Sequence, residues 1–96
     1  MRDEKFEWDD NKARTNIDKH DISFEDARGV FDDPRLVDED DDTMDYGEER
    51  YRAVGMVNGH LIAVFYTLRN MRIRIISARG ATRQEQQSYV RQNSPD

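Results

Sequence analysis

Residues 50–78 read RYRAVGMV, NG, HLIAVFYTL, RN, MRIRIISA, three runs of strand-forming residues separated by two-residue joints. The first joint, Asn58-Gly59, has the composition a type I′ hairpin demands, because both central residues need positive φ. Arg69-Asn70 is a second two-residue connection of less specific chemistry. Joints this short cannot hold a crossover, so strands over 50–57, 60–68 and 71–78 have to pair antiparallel as a meander. Every other element must then cover a face of this sheet or extend its edge.

In EKFEW, residues 4–8, Phe6 and Trp8 alternate with charged residues, which predicts a short strand with one buried face. Asp9 or Asp10 supplies an N-cap for a helix from Asn11 to His20. Ala13, Ile17 and His20 recur at helical spacing and are expected to face the core. Lys12, Asn16 and His20 climb an adjacent face within mutual reach. Ser23 and Asp26 approximate a capping box, and Ile22 can staple onto Ala27. Phe24, Ala27, Val30 and Phe31 then mark a buried stripe, which Asp33-Pro34 ends. RLVDED, from Arg35, fits an edge strand, and the acidic stretch after it reads as a loop turning at Gly47. Thr82 caps a C-terminal helix, RQEQQSYVRQ, with residues 92–96 fraying.

The order predicts a single α+β domain over residues 1–96. It combines a short N-terminal strand and two helices with an antiparallel meander of three to four strands and a C-terminal helix. Most of the helices should pack on one sheet face and leave part of the other open.

The formal net charge is −6, which by itself argues against a nucleic-acid partner. Its distribution argues otherwise. Between Asp32 and Glu49 there are ten acids and one base, whereas Arg69 to Arg91 holds six arginines and one acid, Glu85. Arg72 and Arg74 share one face of their strand, and Ile73 and Ile75 share the other. Arg79 and Arg83 flank the strand-to-helix turn, where fork-like guanidinium donors and helix N–H groups both suit phosphate. Arg50 and Arg52 can extend the same surface. Two readings stand at this point: a phosphate-binding face, or surface pairing with the acids of 38–49, worth only about 0–1 kcal/mol per pair.

His20 is either a satisfied core histidine or, beside Lys12 and Asn16, a proton donor or acceptor. Trp8 is either a core anchor or a platform on which a base stacks. The chain has no cysteine, and its His, Asp and Glu residues lack metal-ligand spacing. DEDDD also lacks the glycine and alternate spacing of a calcium loop, so neither a metal nor another cofactor is expected. The charged start MRDEKFEWDD has no signal-peptide pattern, and no apolar run approaches the roughly 20 residues of a membrane span. The expected location is cytoplasmic, with no membrane partner.

Three separated stretches, FEWDDNKARTNIDKHDISFEDARGVFDD, GEERY and RIRIISARGATRQEQQSY, together resemble the BrnT family of toxins from type II toxin–antitoxin modules. That family is similar in fold to RelE-type ribonucleases. The resemblance runs from Phe6 to Tyr89. It implies a metal-independent endoribonuclease that inhibits translation by cutting RNA. A cognate antitoxin with its own DNA-binding domain would neutralise it and connect it, only indirectly, to operator DNA.

The family pattern W-D-x-N-K falls on Trp8, Asp9, Asn11 and Lys12, and N-I-x-K-H on Asn16, Ile17, Lys19 and His20. G-E-E-R falls on Gly47 to Arg50, and R-I-I-S-A-R on Arg74 to Arg79. By that resemblance Lys12, His20, Arg50, Arg74 and Arg79 are the expected catalytic groups. Arg74 and Arg79 would stabilise transition-state charge, Lys12 or His20 would move the proton, and Arg50 would contact phosphate. Trp8, Asn16, Arg72 and Arg83 are the expected substrate contacts. The general base stays open among Lys12, His20 and a glutamate such as Glu48 or Glu49.

Two departures stand out. Asp21 replaces the glycine that usually follows the pattern's histidine, where a left-handed cap is needed. The acidic run Asp38–Asp45 is also heavier than the family's; it either repels RNA or docks basic parts of an antitoxin. Two alternatives remain: a non-catalytic module that binds an antitoxin and tunes operon repression, and a plain RNA- or phosphate-binding protein.

Overall fold

The computed structural model describes residues 1–41 and 49–95. In chain order the elements are β1 (Phe6–Glu7), α1 (Asp10–His20), α2 (Phe24–Arg28), a 3-10 turn (Gly29–Asp32), β2 (Val37–Asp40), β3 (Tyr51–Val57), β4 (His60–Arg69), β5 (Arg72–Gly80) and α3 (Arg83–Asn93). The α+β class is as expected, and the sheet has five strands in the order β1-β5-β4-β3-β2. β3 to β5 pair antiparallel, as the tight joints require, and β2 pairs antiparallel with β3. β1 instead pairs parallel with β5, Phe6 opposite Ile73 and Glu7 opposite Arg74. The expected acidic loop with Gly47 at its turn falls outside the described residues.

Asn58 and Gly59 both have positive φ, as the first hairpin demands. The second turn sits one residue later than expected. Asn70 and Met71 carry the positive φ angles, and Arg69 pairs with Arg72. In this register Ile75 lies opposite Tyr66 on the core face. Ile76 is left over between the pairs Tyr66–Ile75 and Phe65–Ser77, a bulge that lets Ala78 return to the core side.

One sheet face packs Ala53, Ile62, Val64, Tyr66, Ile75 and Ala78 against Trp8, Phe24, Ala27 and Val30 from the helical layer. The 3-10 turn approaches β3 so closely that a Cβ on Gly55 would lie 2.9 Å from Val30 Cγ1 and 3.0 Å from its carbonyl oxygen. On the opposite face a smaller cluster of Val37, Val54 and Ala63 meets Tyr89 of α3. α3 therefore covers only one end of that face.

α1 begins where the Asp9 carboxylate accepts from the N–H groups of Asn11 and Lys12. It ends where Asp21 takes the left-handed conformation at φ 56° and donates its N–H to Ile17. The helix touches the sheet through a narrow stripe, with Ala13 half-buried and Asn16 buried, whereas Ile17 is 45% exposed and His20 is exposed. Asn16 explains the difference from the expected core face. Its Nδ2 donates to the carbonyls of Ala78 and Ile22, both at 2.9 Å, and its Oδ1 accepts from the Ala78 N–H at 3.1 Å. β1 pairs with β5 only at Ile73 and Arg74. Beyond it, the Asn16 amide takes the place of a strand on the edge of β5.

Candidate functional site

Side chains opposite one another in antiparallel strands share a face. On the face turned away from α1 and α2 the register therefore sets out rows. Nearest α3 lie Arg79, Ala63, Val54 and Val37; next come Ser77, Phe65, Arg52 and Glu39; then Glu7, Arg74 and Thr67. Arg50 falls at the β3 end of the third row by the same alternation, and its carbonyl accepts from the Asp41 N–H. α3 roofs the first row. The second and third rows form the open floor.

The guanidinium groups on this floor are held by carboxylates. Arg79 forms a bidentate pair with Glu85, Nη1 to Oε1 at 2.7 Å and Nη2 to Oε2 at 3.1 Å, and lies 5.1 Å from the centre of the Phe65 ring. Arg52 reaches the same carboxylate at 3.4 Å and Glu39 at 2.8 Å. Arg74 donates to Glu7 at 3.0 Å. Arg72 donates to the Asp3 carbonyl at 2.6 Å. Arg83 is exposed in the first turn of α3. A cleft of about 430 Å³ opens beside Arg52 and Arg79, floored by Val37 and Val54 and edged by Gln84, Ser88 and Arg91.

Glu85 is the hub of the first two rows. Thr82 and Glu85 form a reciprocal capping box, so the residue that starts α3 also orients Arg79 and Arg52. Glu85 is only 7% exposed, and burial alone would raise its pKa. The Arg79 fork, the Thr82 N–H and the Arg52 charge more than offset burial and hold it below the ordinary value of 4.5. A depressed carboxyl pKa contributes stability above the unfolded value that disappears as pH falls through the folded one. Urea midpoints measured from pH 7 downward should accordingly fall for the wild type once the pH drops below 4.5. Glu85→Gln, less stable at pH 7, should lose less over the same range.

The remaining residues singled out from the sequence divide by face. Trp8 is 4% exposed and meets Phe24 edge-on, its ring centre 5.7 Å away, so it anchors the core and offers no ring to a base. Asn16 is spent on the β5 edge. Lys12 and His20 are both exposed on α1, eight residues or about 12 Å apart along the axis. They do not meet around Asn16. Lys12 belongs to the N-terminal end, where its N–H is the main cause of a lowered Asp9 pKa; burial opposes this, and the Lys12 and Arg74 charges add to it. His20 lines a different cleft, of about 670 Å³, with His60, Asp21 and Ala81.

Sequence reasoning passed over Glu7, Phe65 and Glu85. The Thr82-x-x-Glu85 spacing was a legible signal for Glu85. Glu7 had none, because only the parallel β1–β5 pairing brings it to Arg74. Among the described residues no group of three or more His, Asp or Glu side chains could hold a metal ion. None of the described helices is long and apolar enough to cross a membrane.

Residues 8–85 match a family model described as the ribonuclease toxin BrnT of type II toxin–antitoxin systems. No curated protein matches the chain.

Proposed function

The chain belongs to the BrnT family of ribonuclease toxins of type II toxin–antitoxin systems, and from that membership we propose that it cuts RNA on the open sheet face without a metal ion. Cutting inhibits translation, and a cognate antitoxin carrying its own DNA-binding domain neutralises the toxin and links it to operator DNA.

The observation that carries this reading is the placement of Arg52, Arg74 and Arg79 around Phe65 on a face the N-terminal helices leave uncovered. Cleavage through the ribose 2′-hydroxyl needs a held phosphate, positive charge where the pentacoordinate phosphorane develops, and proton transfer. Guanidinium forks match phosphate oxygens two by two. Their carboxylate partners fix them before RNA arrives, so little reorganisation is left for the reaction. These cations supply the charge that a metal ion would otherwise bring.

Phe65, partly buried in the middle row, is the ring on which a base stacks. Arg50, Arg72 and Arg83 flank the floor and contact neighbouring phosphates. Trp8 and Asn16 serve the site by building it. His20, on the helical side, stands apart from the reaction, while Lys12, whose charge like that of Arg74 acts on Asp9, draws in the strand electrostatically.

The test is incubation of the purified protein with total RNA in EDTA and in a translating extract. Fragmentation in EDTA is the expected result. RNA left intact in both would overturn the enzymatic reading and favour a toxin-like module that binds its antitoxin and tunes repression.

A further inference from the structure

Glu7 is 9% exposed on the open face, and its two oxygens are used unequally. Oε2 accepts from Arg74 Nη1 at 3.0 Å, while Oε1 is buried and accepts no hydrogen bond from the described residues. A buried carboxylate oxygen without a donor is uncommon, because its lost hydration is not replaced. The other glutamates near the floor are differently placed. Glu85 accepts from Arg79 with both oxygens and from the Thr82 N–H with one. Glu39 is exposed and bonded to Arg52 and Gln92, and Glu49 is exposed and bonded to the Tyr51 hydroxyl. Of these four, Glu7 alone combines burial, an unused acceptor and a direct bond to a floor arginine.

We propose that Glu7 is the proton acceptor of RNA cleavage, a catalytic role that rests on the ribonuclease reading above. Arg74 binds the scissile phosphate with the donors that Glu7 leaves unused. In RNA the 2′-hydroxyl adjoins that phosphate, so the same docking brings its O–H to the carboxylate paired with Arg74. Glu7 takes the proton as the 2′-oxygen bonds to phosphorus. The bond from phosphorus to the 5′-oxygen breaks, and that oxygen takes a proton from water. The products are a 2′,3′-cyclic phosphate and a 5′-hydroxyl, after which Glu7 returns its proton to solvent.

The experiment compares the wild type with Glu7→Gln, Glu7→Asp and Glu7→Ala in single-turnover cleavage, with thermal melting as the folding control. Binding is measured separately, with an oligonucleotide whose 2′-hydroxyls are replaced by hydrogen. Glu7→Gln should melt within a few degrees of the wild type, bind that oligonucleotide within about threefold, and cleave about 10²–10⁴-fold more slowly. Glu7→Asp should recover part of the rate, and added formate should partly rescue Glu7→Ala. Cleavage by Glu7→Gln at the wild-type rate would overturn the proposal and leave the ribonuclease reading standing. Parallel loss of binding and cleavage without formate rescue would likewise overturn it, reducing Glu7 to a support for Arg74. A wild type that cuts no RNA would overturn both.

Discussion

Arg79→Ala is expected to slow RNA cleavage by about 10²–10³-fold, the usual consequence of removing one preorganised donor from a developing oxyanion. Arg79 sits where the floor meets the start of α3, held by both Glu85 oxygens and lying against Phe65. Losing it removes charge at the phosphate and frees the ring that carries the base. Arg79→Lys should recover only part of the rate, since an ammonium cannot reproduce the planar fork. The fold should survive. Glu85 keeps Arg52 and its capping bond to Thr82, and Arg79 itself is about one-third exposed. Single-turnover kinetics beside thermal melting separates the two effects: a large loss of rate with a small change in melting is the expected pattern.

Asn16→Ala should do the reverse and unfold the chain long before it affects chemistry. The substitution strips the partner from the buried Ala78 N–H and C=O, and from the partly buried Ile22 carbonyl. A buried backbone group left unpaired costs about 1–3 kcal/mol, so the sum comes to about 3–5 kcal/mol. In a domain of this size that is a fall in melting temperature of about 15–30 °C. It is also a large share of the roughly 5–15 kcal/mol by which such domains are stable. Asn16→Asp should be nearly as harmful, because a carboxylate can accept from Ala78 but cannot donate to it. A variant that melts normally yet binds RNA poorly would return Asn16 to the role of a substrate contact.

Asn16 shows where reading the sequence stopped. The meander, its Asn58-Gly59 turn, the Ser23 and Thr82 caps and the Val37 edge strand all follow from local chemistry, and all are present. Local pattern also placed Arg72 and Arg74 on one face. What it could not supply was the pairing of chain segments far apart in sequence. Phe6–Glu7 lies against Ile73–Arg74, and Asn16 completes that edge at Ala78.

The consequences fall on the candidate site. A four-residue spacing on α1 suggested that Lys12, Asn16 and His20 act together. The sheet instead takes Asn16 for its own edge and leaves Lys12 and His20 exposed and apart. Conversely, alternation puts Glu7 on the face opposite Phe6 and Trp8, and only the pairing of β1 with β5 brings it to Arg74. The charge asymmetry of the sequence now has a partial explanation. Arg52 is braced by Glu39 of β2 and by Glu85 of α3, so acids from both regions hold the floor cations in position.

The measurement that bears most directly on the central claim is nuclear magnetic resonance mapping of a non-cleavable, 2′-deoxy-substituted oligonucleotide onto the wild-type protein. The guanidinium signals of Arg52, Arg74 and Arg79 and the ring signals of Phe65 should move together on titration, with the His20 ring unaffected. Shifts that cluster at His20 and the exposed face of α1, with the floor arginines unmoved, would place RNA on the opposite side of the sheet and contradict the account.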